Sequence, residues 1–257
     1  MSPKKTIYYS SFEDDFAGTD ITTAKVDGSF KYNHDGFWWN LAAKLLTSGV
    51  AYPVIFLVSH IKYGLRFHNR KAVRKIKGGC FIYMNHTQWS DAFTPYQLAW
   101  PKRNRIIVGP DTVSIKGLKN IVQMFGAIPI PTERSGYRNF LETVSEECKK
   151  GRSITVFPEA HIWPYYNGIR PFSSVSFKYP VEQGVPAVAA VTTYRKRLFG
   201  LMSPGFSVYV SEPFYPDMSL PPKRAAEKLR DRVYEWMKEC SESHENVAYI
   251  EYRKKAE

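Results

Sequence analysis

The stretch CFIYMNHTQWSD, residues 80–91, sets a short apolar run directly before a polar segment that carries an imidazole and a carboxylate. Cys80–Met84 is too short for a helix and fits a buried strand. His86 and Asp91 lie five residues apart. On a regular helix that spacing turns the two side chains about 140° away from each other, so they could not meet. Thr94-Pro95 downstream is a helix-start signal, with Thr as the cap and Pro at the first helical position. Residues 85–93 are thereby left as a turn, in which Asp91 can fold back onto the ring. A carboxylate on one ring nitrogen fixes the tautomer and raises the basicity of the other, which makes His86 a general base and Asp91 its partner. A His with a nearby acid is more often a structural pair. The place of this one at the end of a strand favours catalysis.

Outward from that stretch, short apolar segments alternate with helical ones. Pro101 ends the helix that starts at Thr94. Strands are expected at residues 105–108, 127–130, 153–157, 187–192 and 206–210, and helices at 115–125, 136–150 and 172–183. A last helix is marked by Leu229, Val233, Trp236, Met237 and Cys240 at helical spacing. Alternation of this kind predicts an α/β fold with a mixed, largely parallel sheet flanked by helices. Ligands of such sheets bind beyond the carboxyl ends of the strands. FPEAH, residues 157–161, follows a strand as the His86 segment does, which places Glu159 in the same crevice. In GAIPIPTERS, residues 126–135, Gly126 permits close approach of backbone or ligand, and Arg134 is suited to gripping phosphate. Metal binding by His86, Asp91, Glu159 and His161 lacks any compact zinc spacing.

Three segments are expected: a polar arm (1–36), a hydrophobic membrane-associating segment (37–67) and the catalytic domain (68–257). Aromatics interleaved through the arm suit packing on the domain. Leu41–Val58 holds Lys44 as its only charge, 18 residues against the roughly 20 of a comfortable span, and Pro53 should kink a helix there. Trp38 and Trp39 suit a membrane interface. A basic run follows, from Lys62 through Arg66, Arg70, Lys71, Arg74 and Lys75 to Lys77. Such a run favours anionic headgroups and predicts membrane association with the site facing the cytoplasm. The competing reading of the apolar segment is a buried core helix.

Lys and Arg outnumber Asp and Glu by 36 to 24 in 257 residues, a net charge of +12 that calls for an anionic partner. Nucleic acid is not expected, because no reading helix or finger spacing is present. Three scattered cysteines exclude a disulfide framework and a zinc ribbon. The polar start of the chain gives no signal peptide. Without a GxSxG, Walker or dinucleotide motif, neither a covalent serine enzyme nor a nucleotide-dependent one is expected.

Four blocks in this order, NHTQWSD (85–91), GAIPIPTER (126–134), FPEAH (157–161) and GVPAV (184–188), resemble the PlsC-type glycerolipid acyltransferases, the family of 1-acylglycerol-3-phosphate O-acyltransferases. The resemblance covers about residues 66–215. It implies that His86 deprotonates an acceptor hydroxyl as it attacks a thioester, with Asp91 orienting the ring and no cofactor. Acyl-CoA or acyl carrier protein would be the co-substrate and a lysophospholipid the acceptor. The chain departs from the family in the third block, usually FPEGTR, where Ile162 replaces the arginine that helps bind acceptor phosphate. Arg134 also lies about two residues late. Arg170 or Lys178 are the candidates to compensate, and Glu159 carries over directly. An amine or non-phosphate lyso-lipid acceptor, and a non-catalytic lipid-binding protein, stand as alternatives.

Overall fold

The computed structural model describes residues 5–16, 22–34, 36–198 and 202–255. Its centre is a seven-stranded sheet in the order β2-β8-β7-β3-β6-β4-β5. The strands are β2 (Arg66–His68), β3 (Cys80–Met84), β4 (Asn104–Val108), β5 (Ala127–Pro129), β6 (Ser153–Val156), β7 (Ala187–Arg195) and β8 (Gly205–Val210). From β7 to β5 every pairing is parallel; β8 runs antiparallel to β7, and β2 pairs parallel with β8, so both run against the rest. The sheet is therefore mixed and largely parallel, as the alternation predicts.

The central strands are buried on both faces, which is why β3 and the first half of β7 (Ala187–Val191) read as unbroken apolar runs rather than alternating ones. Phe81 and Tyr83 of β3 face one core layer, which α6 (Tyr137–Lys149) and α8 (Pro222–Ser243) cover with Phe140, Val144, Leu229, Val233 and Met237. Cys80, Ile82 and Met84 face the other, against Ala72 and Val73 of α3 (Lys71–Lys75) and Leu98 and Ala99 of α4 (Thr94–Ala99). Trp236 packs on the rim of the first layer.

Several boundaries differ from expectation. Thr94 is not the cap but the first residue of α4, because a 3-10 helix at Trp89–Phe93 already leads into it. The helix expected at 115–125 is confined to α5 (Lys119–Met124), after a series of turns. Of the helix expected at 172–183 only α7 (Lys178–Gln183) forms, preceded by a 3-10 turn at Val175–Phe177. Pro180 explains this: it is tolerated in the first turn of α7 but would break a helix that began at Phe172. A two-stranded parallel ribbon, β1 (Lys5–Tyr9) with β9 (Ile250–Lys254), was not foreseen.

Residues Phe37–Ile61 form one 25-residue helix whose apolar window leaves no residue buried, so it is not the core helix of the competing reading. It comprises α1 (Phe37–Lys44), a π-helical segment Leu45–Ala51 and α2 (Tyr52–Ile61). The helix continues through Pro53, and the wide turn just upstream accommodates the missing N–H and the bulk of the ring. One side lies against the domain, through Gln97 Nε2 donating to Ser59 Oγ (3.0 Å) and the Tyr52 ring 4.9 Å from Trp100. The Arg197 guanidinium donates to the Ile61 and Lys62 carbonyls at its end. The other side exposes Phe37, Trp38, Leu45, Val54, Leu57 and Ile61.

Candidate active site

His86 leaves the carboxyl end of β3, the strand nearest the middle of the sheet. Asn85 locks this exit to β7: its Nδ2 donates to the Thr192 carbonyl (3.0 Å) and its Oδ1 accepts from Thr192 N–H (2.8 Å). The 3-10 helix then returns Asp91 toward the ring. Asp91 sits at its third position and closes a capping box with Gln88. Its Oδ2 accepts the backbone N–H groups of Thr87 (2.6 Å) and Gln88 (2.7 Å) and lies 3.4 Å from His86 Nδ1. Two amide donors and burial to 2% exposure fix this carboxylate. The His86 ring stays 15% exposed and so remains reachable from solution. Trp89, three residues on, lies at the surface, 73% exposed.

The segment after β6 wraps this turn. The Phe157 ring stacks on His86 at 4.3 Å between centroids. Glu159 Oε2 accepts the His86 backbone N–H (3.4 Å). The Trp163 and Tyr165 N–H groups donate to the His86 and Thr87 carbonyls (3.2 and 3.1 Å), and Tyr194 Oη donates to Thr87 Oγ1 (2.6 Å).

Glu159 and Arg170 form a fully buried pair. Arg170 donates its backbone N–H, Nε and Nη2 to the carboxylate at 3.0, 3.2 and 3.0 Å. Its remaining donors go to the carbonyls of Phe12 and His161, and the guanidinium lies over Trp163. Burial pushes the Glu159 carboxyl up from the ordinary carboxylate range, against the opposing pull of Arg170 and of the amides.

The structure thus brings together His86, Asp91, Glu159 and Arg170. It does not bring Gly126 to them. Gly126 precedes β5 at the amino end of the sheet, at φ +88°, packed on Arg105 and the Asn104 carbonyl. Arg134 is exposed on a 3-10 turn beyond β5, three strands away from β3 in the sheet order and so roughly 14 Å to the side. Lys178 begins α7, its Nζ 5.5 Å from the Tyr179 ring centre. His161 turns to the arm, 3.8 Å from Glu13. Sequence reasoning missed Asn85 as an anchor and Phe157 as the floor of the ring. Both depend on β7 and β6 flanking β3, an order that no local pattern encodes.

The description "Acyltransferase" belongs to a family model that matches residues 64–193, a span that contains β3, β4, β5, β6 and both segments of the site. Among solved structures, the 1-acyl-sn-glycerophosphate (LPA) acyltransferase PlsC from Thermotoga maritima is similar in fold, with a TM-score of 0.52 and 18% identity over 80% of this chain and 94% of that one. No curated protein sequence matches significantly. A histidine poised on a fixed carboxylate at the carboxyl edge of a largely parallel sheet, within residues that match that model over half the chain, places this protein in the acyltransferase family.

Proposed function

We propose that the protein transfers a fatty acyl group from acyl-CoA or acyl carrier protein to the hydroxyl of a lysophospholipid, with 1-acylglycerol-3-phosphate the first acceptor to test. The observation that carries this reading is the Asp91–His86 pair. Asp91 holds Nδ1, so the lone pair on Nε2 is free to take the acceptor proton as the oxygen attacks the thioester carbonyl. The C–O bond forms, the C–S bond breaks, and the imidazolium returns the proton to the departing thiolate. At 3.4 Å the Nδ1 contact is longer than a tight hydrogen bond, as is common before substrate binds.

The acceptor is less defined. Arg170 is consumed by Glu159, so its role is to position the segment that holds His86, and phosphate would fall to Arg134 or Lys178. Ile162 in place of the family arginine favours, as a second reading, an acceptor without phosphate, or an amine. The exposed apolar side of Phe37–Ile61 supports membrane association through that helix, with Trp89 and His86 presented to the cytoplasmic leaflet.

Purified protein incubated with a mixture of acyl-CoA, acyl carrier protein thioesters and lyso-lipids, followed by mass spectrometry, tests both points. Diacylglycerol phosphate as the main product supports the first acceptor. Product from other acceptors alone supports the second reading. No acyl transfer from any donor would leave only a lipid-binding role.

A further inference from the structure

A cavity of about 380 Å³ lies away from His86. It lies at the amino end of the sheet, between the Phe37–Ile61 helix and the starts of β4, β5 and β6. Asn104 pairs with Ser153, and Ser153 with Cys80. His86 is six residues farther along than Cys80, so the two sites are roughly 20 Å apart along the strand direction.

The cavity is lined by six basic residues, Lys44, Lys102, Arg103, Arg105, Lys150 and Arg152, and by one carboxylate, Glu147. Glu147 is fully buried and shared three ways: Arg105 Nε lies at 3.2 Å, Lys150 Nζ at 3.5 Å, and Arg152 Nη1 also contacts it. Glu146, just outside the lining, also reaches Lys150 Nζ (3.4 Å), and two carboxylates still cannot balance six basic groups. Burial, and then repulsion from Arg152 and Arg103, pull the Arg105 pKa down despite Glu147. Neutral donors add to the excess. Asn104 is 5% exposed, its Oδ1 accepts from Ser153 and Thr155, and its Nδ2 meets no partner among the described residues. His34 Nε2, also on the lining, is likewise without a partner there. The Asn104 amide donor, buried without an acceptor, suits this floor to an oxyanion. On the helix side, Trp39, Ala43, Tyr52 and Ile55 give apolar and aromatic surface between polar residues such as Asn40 and Thr47, and Trp100 adjoins them. Trp100 is 45% exposed, and Leu41 and Leu45 continue the apolar surface along the outer side of the helix.

We propose that this cavity binds the phosphate of an anionic glycerophospholipid, whose acyl chains leave along the Phe37–Ile61 helix. The site is separate from His86, and the proposal does not depend on the reaction there. Its physical basis is the junction of a cationic, donor-rich floor with an apolar helix, a combination that free phosphate uses only in part. Bound lipid would clamp the helix to the domain and couple membrane attachment to anionic lipid content.

The test uses full-length protein with phosphatidylcholine vesicles that carry trace phosphatidylglycerol or phosphatidylcholine with the same photoactivatable acyl chain. Labelled residues are mapped by mass spectrometry. The phosphatidylglycerol probe should label residues around Trp39, Ile55 and Trp100 well above the phosphatidylcholine probe. K44Q/R103Q/K150Q, which changes side chains at the surface or half-exposed, should reduce that labelling at least about tenfold. Millimolar inorganic phosphate should not displace it. Equal labelling by the two lipids, or labelling unchanged in the triple variant, would mean apolar adsorption and overturn the proposal. Displacement by inorganic phosphate, with a matching rise in Tm from phosphate alone, would assign the pocket to a free anion instead.

Discussion

At Asp91 a single oxygen accepts two backbone N–H groups while it faces His86 Nδ1, so structure and catalysis share one atom. His86→Ala should lower turnover by about 10²–10⁴-fold with little change in folding, the range expected for a general base. Asp91→Ala should do two things at once. It weakens the base, and it leaves Thr87 or Gln88 N–H poorly paired, costing about 1–3 kcal/mol in urea unfolding. A variant that loses activity without that cost would separate the two roles. Glu159 and Arg170 are different, because neither reaches the surface. Arg170→Met strands a buried carboxylate and should destabilise by about 3–5 kcal/mol, whereas the E159L/R170M double variant should recover much of that loss. Thermal unfolding of the three proteins decides this, and equal Tm values for all would refute a buried pair.

Among the elements, the amino-terminal arm shows how far a catalytic loop depends on remote chain. Tyr9, Phe12 and Phe16 surround the Trp163 ring, and Trp163 Nε1 donates to the Asp14 carbonyl (2.7 Å). Phe12 also supplies a carbonyl to Arg170. Removal of residues 1–16 should therefore open the 157–170 segment to limited proteolysis and reduce activity while His86 itself is intact. The cysteines make a second element-scale test. Cys80 on β3, Cys148 on α6 and Cys240 on α8 are buried free thiols, and burial pushes them up to about 11, 12 and 12. A raised thiol pKa favours the neutral form, so at pH 8 only about one Cys80 in a thousand is thiolate. Folded protein should resist iodoacetamide at pH 8, and all three should alkylate in guanidinium.

For the whole molecule, two forces would hold it at a bilayer and they respond differently to salt. The net charge of +12 attracts anionic lipid over a Debye length of about 10 Å or less, which salt removes. The apolar face of the Phe37–Ile61 helix is indifferent to salt. Flotation with anionic vesicles should fall between about 0.05 and 0.5 M NaCl but not vanish. Substitution of Leu45, Val54 and Leu57 by Ser should abolish the salt-resistant fraction. Persistence of that fraction in the triple variant would move the attachment elsewhere.

Period, punctuation and order of motifs are local properties, and they determined the fold class, the long apolar helix and the turn that pairs His86 with Asp91. The short range of that pairing is the reason: five residues and one capping box suffice to close it. Other features required the folded sheet. Arg170, eleven residues from Glu159, and Phe12, far earlier in the chain, meet only because β6 lies beside β3 and the arm folds over the loop. Gly126 and Arg134 sit eight residues apart in one motif yet fall at opposite ends of β5, since a strand carries its two flanks to opposite edges of the sheet. The cationic cavity joins residues from the long helix, β4 and α6, and its excess charge became visible only when tertiary packing set six basic side chains around one carboxylate.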